Sequence, residues 1–181
     1  MPTPLHTLYF ETPLLAPLYF EIELTQGQVA IVDSVDYEYL MQWKWCAIWN
    51  ASLQSYYAVR QVRIKQGHLI QRHFSMHREI LGLKWGDPRQ ADHINHKTLD
   101  NRRSNLRVAT KEQNQWNQGA QRNNKCGFKG VSWHTQKARW RAGIRLDRRS
   151  VHLGYFDTPE EAHKAYCIAS KEAHGEFSGT I

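Results

Sequence analysis

The sequence predicts an α+β protein with three parts: a β-rich N-terminal unit, a central unit of two strands and one helix, and a C-terminal three-stranded antiparallel sheet packed on one helix. Three observations support this fold class. Residues 20–75 contain short runs of alternating or β-branched residues separated by turn-formers, which is typical of strands. Residues 139–146 place arginine on one strand face, and residues 158–175 carry the start and stop signals of a helix.

The charge of the chain is sorted along its length. The 181 residues carry a net charge of +7, yet residues 1–50 contain a single Lys, no Arg and six acidic residues. The basic excess therefore lies entirely in residues 51–181. A basic protein gains binding energy by displacing counterions from phosphate, so nucleic acid is the first partner to consider.

The three cysteines and the apolar segments indicate in which cellular compartment the protein is expected. Cys46, Cys126 and Cys167 lie too far apart for a CxxC zinc knuckle, and so few cysteines do not suggest a secreted disulfide framework. The apolar start of the chain is broken by prolines and acids before it reaches the roughly 20 residues of a membrane span. We expect neither export nor a membrane anchor, and a cytoplasmic location in a bacterial or phage-infected cell.

The N-terminal part divides into a tail and a β-rich unit. Residues 1–20 read as an extended tail punctuated by prolines. In residues 21–75, "FEIELTQGQVAIVD" predicts two strands around Gly27. The aromatic, β-branched or alternating runs that follow predict a small mixed, mainly β unit; they are "YEYLMQWKWCAIW", "SYYAVRQVRI" and "HLIQRHFSM".

The central unit spans residues 76–118. It begins with the short helix-compatible run "MHREILGL" and continues through "QADH" to the strand "NLRVAT" and the helix "KEQNQWNQ". Thr110 followed by Gln113 forms a capping box for that helix. Residues 119–127 have turn-formers and amides without hydrophobic periodicity, which predicts a linker.

The C-terminal unit covers residues 128–181. In "KARWRAGIRL" the arginines share one strand face and the apolar residues the other, and "KGVSWH" and "SVHLGYF" supply two flanking strands. Thr158 caps the following helix, Pro159 occupies its first turn, and Gly175 is placed to end it. The stripe predicted to pack on the sheet is Ala162, Ala165, Tyr166, Ala169 and Ala173. The other sheet face, rich in arginine, is left open for a polyanion, although an arginine-rich face kept only for solubility is the alternative.

Residues 128–178 resemble the Apetala-two/ethylene-response-factor DNA-binding domain, whose three-stranded sheet lies in the DNA major groove. The resemblance implies double-stranded DNA as the partner. Ser132, Ser150 and His152 replace the arginines and tryptophan of many plant members, so base preference does not transfer. The positions that match the DNA-facing positions of the family are Lys129, Ser132, Arg139, Arg141, Arg145, Ser150 and His152.

The segment "QADHINHKTLDNRRSNL" has the residue types of a phosphodiester-hydrolysing site. Asp92 offers a hard anionic oxygen, Asn114 a neutral amide oxygen, and His93 a base suited to neutral pH. An EF-hand is excluded because Arg103 occupies the position of the required glutamate, and zinc lacks a ligand set. From the residues alone, a polar turn in which Asn101, Asn105 and Arg107 satisfy backbone groups remains equally open.

Residues 76–117 resemble the HNH nucleases of phage and intron origin, which have a ββα-metal fold. The Asp-His pair, the "NRRSNLR" block and the "QNQWN" helix occur in the order and spacing of that family. The resemblance implies His93 as general base, Asp92 and Asn114 as metal ligands, and Asn105 as a catalytic-centre residue that braces the loop and orients the base. The implied cofactor is a divalent metal, Mg²⁺, for which Mn²⁺ can substitute. Candidate phosphate contacts are Arg102, Arg103 and Arg107.

Together these features predict a metal-dependent DNA endonuclease of homing or phage type, a monomer or weak dimer with no protein partner implied. The alternative is a non-catalytic DNA-binding transcriptional regulator with a degenerate nuclease unit. The intact set of Asp92, His93, Asn105 and Asn114 argues against that alternative. An RNA-binding protein would need aromatic residues on the open sheet face, where arginines are predicted instead.

Overall fold

The computed structural model describes residues 18–66, 68–121, 123–147 and 149–179, with backbone only for residues 64–66 and 68–70. Nearly all of the tail predicted for residues 1–20 lies outside the described residues. The strands are β1 (Tyr19–Glu23), β2 (Val29–Asp33), β3 (Cys46–Asn50), β4 (Ser55–Gln66), β5 (His68–Ser75), β6 (Gln90–His93), β7 (Leu106–Ala109), β8 (Val131–His134), β9 (Arg139–Leu146) and β10 (Arg149–Phe156). The helices are α1 (Ser34–Leu40), α2 (Met76–Ile80), α3 (Lys111–Asn117) and α4 (Pro159–His174). Within the described part of the chain, no helix has the length and apolar character to cross a bilayer.

The N-terminal unit combines a hairpin with a three-stranded sheet. Strands β1 and β2 pair antiparallel, and β3, β4 and β5 form an antiparallel sheet in that order. Within the mainly β unit predicted for this region, the residues "YEYL" belong to a helix, α1. Tertiary packing overrides the β-propensity of the tyrosines here, because the helix buries Leu40 completely and stacks Tyr37 on Phe20 of β1, with 4.5 Å between ring centroids.

One hydrophobic core joins the N-terminal unit to the central unit. Val32 of β2, Leu40 of α1 and Met76 of α2 are completely buried, and Leu106 of β7 belongs to the same cluster. Burying one such side chain contributes about 1.5–3 kcal/mol, so the central strands depend on the N-terminal unit for much of their packing.

The central unit is an antiparallel pair, β6 and β7, followed by α3. The predicted capping box holds the start of α3, since Thr110 Oγ1 accepts from the Gln113 N–H while the Gln113 side chain accepts from the Thr110 N–H. The N-terminal hairpin supports the loop between the two strands. Ile31 of β2 accepts a hydrogen bond from Asn101 N at 2.7 Å, and its own N–H donates to the Leu99 carbonyl.

The C-terminal unit has the predicted architecture of three antiparallel strands, ordered β10-β9-β8, with α4 packed against them. Its core contains Val131, Ala142 and Ala162. The α+β fold class is confirmed. The predicted stripe of α4 is wrong at its end, where Ala173 is exposed and His174 is buried instead, because the ring of His174 stacks on Trp116 of α3.

Candidate active site

Asp92 and His93 lie at the C-terminal end of β6, where this strand pairs with β7. Asp92 is opposite Arg107 and His93 is opposite Leu106 in the antiparallel register. Both residues are buried, with only 5% of the surface of each exposed. Ionisable residues are rarely buried to this degree without partners, so their contacts define the chemistry available to the site.

The loop that follows His93 is braced by Asn105. Its Oδ1 accepts a hydrogen bond from Asn95 N at 2.9 Å, and its Nδ2 donates to the Asp100 carbonyl at 2.8 Å. Its own carbonyl accepts from the Ile94 N–H at 2.9 Å. Asn105 is buried, and these bonds fix the backbone on both sides of the turn after His93.

The imidazole of His93 is held through its Nε2, which lies 3.2 Å from Asn101 Oδ1. Asn101 Nδ2 donates to the Leu99 carbonyl, so Oδ1 is the end that faces the ring and Nε2 carries the proton. Nδ1 is therefore left as the basic nitrogen. Burial lowers the pKa of His93 below its ordinary value, although the Asn101 hydrogen bond and the charges of Asp92 and Asp100 oppose this shift. A neutral His93 at neutral pH is the protonation state that a general base needs.

A second histidine, His77 of α2, lies beside His93. The two ring centroids are 4.9 Å apart, and Tyr57 of β4 lies 5.6 Å from His77 and 6.1 Å from His93. Burial, together with the nearby His93 and Arg78, lowers the pKa of His77 to about 3. His77 is consequently neutral, and it brings α2 and β4 into contact with the predicted base.

The carboxylate of Asp92 is fixed on both sides. Arg107 Nε donates to Asp92 Oδ2 at 2.8 Å, and Asn117 Nδ2 donates to Asp92 Oδ1 at 3.0 Å. Asn117 is itself buried and also donates to the His93 carbonyl at 3.0 Å. Because a carboxylate offers about four lone-pair positions, both oxygens retain capacity to bind a cation.

Asn114 lies one turn before Asn117 on α3. Its Nδ2 donates to Gln90 Oε1 at 2.5 Å, which leaves its amide oxygen for another partner. A carboxylate with a neutral amide oxygen fits Mg²⁺, which prefers oxygen ligands and fills its remaining positions with water and phosphate. Among the described residues, no group of three or more His, Cys, Asp or Glu side chains is placed to hold a metal ion.

Asp92, His93 and Asn114 share the wall of one cavity with a volume of about 1050 Å³. His77 and His96 also line it. His96 has a backbone φ of 62°, and its buried Nε2 has no hydrogen-bond partner among the described residues. The cavity therefore gathers the predicted base, both predicted metal ligands and an additional nitrogen.

The three arginines predicted as phosphate contacts each pair with a carboxylate. The side chain of Arg103 is 53% exposed and that of Arg102 is 38% exposed, so both keep a face toward solvent. Only 10% of the Arg107 side chain is exposed. Its geometry favours a role as the partner of Asp92, which the sequence did not reveal. The pairs are Arg102 with Asp100, Arg103 with Asp36, and Arg107 with Asp92.

The C-terminal sheet gathers most of the predicted DNA-facing residues on its open face. Ser132 is opposite Arg141, and Ser150 is opposite Arg145, so each pair projects from the same side. Arg139 also donates to Asp157 at 2.9 Å. The exposed residues of this face are Ser132, Arg139, Arg141, Arg145, Ser150 and His152.

Lys129 does not join this face. Its Nζ donates to the carbonyls of Trp116 and Gln118, at 2.5 Å each, at the end of α3. The unpaired carbonyls of a helix C-terminus attract a cation, which explains this position. Burial lowers the pKa of Lys129 to about 8. The structure thus places the predicted DNA contact at the junction between the two units.

Sequence reasoning assigned no role in the site to three polar residues: His77, Asn101 and Asn117. The signal for Asn117 was available, since it follows Asn114 by three residues and so lies on the same face of α3. His77 precedes His93 by 16 positions and lies on helix α2, whereas His93 lies on strand β6, and no local pattern links the two. Their proximity is a tertiary contact, visible only in the fold.

A ββα unit with an Asp-His pair at a strand end, beside a separate sheet with a basic face, defines a nuclease-type unit joined to a DNA-binding unit. Comparison with known families gives the same division: the HNH endonuclease family matches residues 84–116, and the AP2 domain matches residues 126–176. The chain belongs to the HNH endonuclease family and carries a C-terminal AP2 DNA-binding domain. Members of the HNH family are typically metal-dependent.

Two viral proteins are similar to the chain. Protein 3.8 of Escherichia phage T7 is 30% identical over 87 residues, which represent 48% of this chain and 71% of the phage protein. An HNH endonuclease of Acanthamoeba polyphaga mimivirus is 35% identical over 88 residues, or 48% of this chain, and the match spans less than half of that protein, 44%. No solved structure matches the chain.

Proposed function

We propose that the chain is a metal-dependent DNA endonuclease in which His93 activates water and Asp92 and Asn114 hold a divalent cation. The observation that carries this proposal is the state of His93. Its Nε2 is engaged by Asn101, burial favours its neutral form, and it lines the same cavity as Asp92 and Asn114. These are the requirements for a general base beside a hard-cation site.

The reaction proceeds by in-line displacement at phosphorus. His93 Nδ1 accepts a proton from water while the water oxygen forms a bond to the scissile phosphorus. The bond from phosphorus to the 3′ oxygen breaks, that oxygen takes a proton from solvent, and the ends are a 5′ phosphate and a 3′ hydroxyl. Asn101 retains the hydrogen bond to Nε2 throughout and orients the ring, and Asn105 keeps the loop behind it in place.

Asp92 and Asn114 hold the cation, which we propose is Mg²⁺ with Mn²⁺ as a substitute. When bound, this ion would neutralise charge on the phosphate and on the departing oxygen. Asn117 and Arg107 keep the Asp92 carboxylate oriented toward the cavity from opposite sides. Gln90 performs the same task for Asn114 by accepting from its amide nitrogen.

The AP2 domain supplies DNA affinity and site choice through its basic sheet face. Arg139, Arg141 and Arg145 project from that face, where they can neutralise backbone phosphates or read base edges of double-stranded DNA. Linking two weak DNA contacts in one chain raises avidity without any new contact. The viral relatives support a phage-type or homing role, and we propose that the chain acts as a monomer or weak dimer.

The decisive experiment compares nicking of supercoiled DNA by the wild type and by His93→Ala with Mg²⁺, with Mn²⁺ and with a chelator. We expect the wild type to nick only with metal and His93→Ala to lose at least about 100-fold in rate, the usual contribution of general-base catalysis. His73→Ala is the matched control, because His73 is exposed on β5 and does not line the cavity.

Two outcomes would contradict the proposal. If the wild type binds DNA but does not cut it under any of these conditions, the chain acts as a DNA-binding regulator. If His93→Ala cuts as fast as His73→Ala, the catalytic assignment of His93 is wrong.

A further inference from the structure

Residues 174–179, from the last residue of α4 onward, lie against the nuclease unit although they belong to the C-terminal unit. We call them the tail segment. The guanidinium of Arg107 is enclosed between Asp92 and this segment: Nε donates to Asp92 Oδ2 at 2.8 Å, Nη1 donates to the Glu176 carbonyl, and Cζ lies 4.0 Å from the ring centroid of Phe177. One side of the Asp92 ion pair is therefore built from the tail.

The tail segment is docked on α3 at both of its ends. The ring of His174 stacks on Trp116, with 4.1 Å between centroids and 10° between planes. Gly179 N donates to the Trp116 carbonyl at 3.0 Å, and a Cβ at Gly179 would lie 2.3 Å from the Asn117 carbonyl oxygen. Only glycine permits this approach, which presses the tail against the residue that holds the other oxygen of Asp92.

Phe177 does not serve the interior of the C-terminal unit. It is 8% exposed, yet it belongs to neither of the two hydrophobic cores described above. What it covers is Arg107, whose Nη2 is buried without a hydrogen-bond partner among the described residues. A desolvated guanidinium over an aromatic face is stabilised by the cation–π interaction, so Phe177 compensates part of the burial of Arg107.

On the basis of the proposed function, we propose that the tail segment completes the nuclease centre, with Phe177 acting through Arg107 as a positioning residue for the metal-ligand carboxylate of Asp92. The tail fixes the guanidinium, the guanidinium fixes Asp92 Oδ2, and Asn117 fixes Asp92 Oδ1. A role in the nuclease is thereby assigned to residues beyond the stretch that matches the HNH endonuclease family.

The test uses the full chain carrying Phe177→Ala or the milder Phe177→Leu. The matched control is Ile168→Ala, because Ile168 is an apolar side chain of α4 that is exposed to solvent and takes no part in the Arg107 contact. Both Phe177 variants are also made with Arg107→Met. The first readout is the exchange of the Arg107 Nε–H with water by ¹⁵N-arginine NMR, with the signal assigned by its loss in Arg107→Met. The second is the single-turnover nicking rate at saturating protein and Mg²⁺, and DNA affinity is measured separately.

We expect Phe177→Ala to accelerate exchange of the Nε–H and to lower the nicking rate, each by about tenfold, as loss of a desolvated cation–π contact implies. Phe177→Leu should do the same to a smaller degree. DNA affinity should be unchanged, and Ile168→Ala should match the wild type. Adding either Phe177 substitution to Arg107→Met should not lower the nicking rate below that of Arg107→Met alone.

Three results would overturn the inference: Nε–H exchange in Phe177→Ala equal to the wild type, a full additional loss of rate in the Arg107→Met background, or a loss of DNA affinity that accounts for the slower nicking. The NMR readout separates this inference from the proposed function. If the wild type cuts no DNA but exchange responds as expected, the proposed function is wrong and the positioning of Arg107 by the tail stands.

Discussion

Replacing the buried His77 by leucine should remove a specific pH dependence from the stability of the protein. His77 faces His93 from β6 and Tyr57 from β4, with Arg78 next to it on its own helix. Burial lowers its pKa to about 3. In the unfolded chain the same imidazole titrates near its ordinary value of about 6.5.

The direction and size of the pH effect on stability follow from the folded and unfolded pKa values of His77. Between them the unfolded chain binds a proton that the folded chain does not, so stability is full above pH ~6.5 and falls as the pH drops below it. For a folded pKa of about 3, the loss from His77 alone is about 2 kcal/mol at pH ~5 and about 4 kcal/mol at pH ~3. The value at pH ~5 is nearly unchanged if the folded pKa is a unit higher, which makes it the better point of comparison.

The assay is urea unfolding of wild type, His77→Leu and His73→Leu at about pH 8 and about pH 5. We expect the wild type to lose about 2 kcal/mol more than His77→Leu between the two conditions. His73→Leu is the matched control and should parallel the wild type, because His73 is exposed to solvent. Equal losses in wild type and His77→Leu would refute the reasoning.

Three further expectations concern the catalytic base, the DNA-binding face and the packing of the AP2 domain. The single-turnover nicking rate should rise with pH to a plateau, with its midpoint below pH 6.5, because burial lowers the pKa of His93. A midpoint above pH 6.5 would contradict this expectation. Arg141→Ala should weaken binding to all DNA sequences, and it should reduce the slope of log affinity against log salt concentration by about one. Titrations across KCl concentrations measure this slope, and an unchanged slope would mean that Arg141 contacts no phosphate. Gly130→Ala should unfold the AP2 domain, because a Cβ at this position would lie 2.0 Å from Tyr166 Cδ2. Gly127→Ala is the control, since its Cβ would meet open space at a similar φ. Equal melting temperatures of the two variants would contradict the clash.

The elements predicted correctly are those whose signals are local. The capping boxes of α3 and α4 lie within four residues of each helix start, and the alternation of β9 is contained in the strand itself. Local signals do not suffice where a partner distant in sequence decides the outcome. Helix α1, inside a unit predicted to be mainly β, forms because Leu40 and Tyr37 pack on the N-terminal hairpin. The prediction that Ala173 packs on the sheet was wrong, because His174 is buried instead and stacks on Trp116.

The residues of the candidate site also divide into those with a local sequence signal and those placed by partners distant in sequence. Asp92 and His93 are adjacent in sequence, and Asn114 follows at a spacing that a motif can specify. The partners that set their geometry could not be predicted, because Arg107 reaches Asp92 only through the strand register and the charge of an arginine does not reveal its carboxylate. The alternation of residues in β9 could likewise identify the basic sheet face, but it could not show that Lys129 would bind at the end of α3 instead.

The contacts between the nuclease unit and the AP2 domain determine whether the predicted linker, residues 119–127, lets the two move independently. A flexible connection across residues 119–127 would let the AP2 domain bind one sequence while the nuclease cut at variable distances. The stack of Trp116 on His174 and the bonds from Lys129 and Gly179 to the end of α3 fix the basic face relative to the cavity. We therefore expect cleavage at one defined distance from the bound sequence, seen as a single cut position per strand when the ends are mapped by primer extension. Gly179→Val, which cannot fit against Asn117, should spread the cuts while the AP2 domain still binds, and an unchanged pattern would show that these contacts do not set the position.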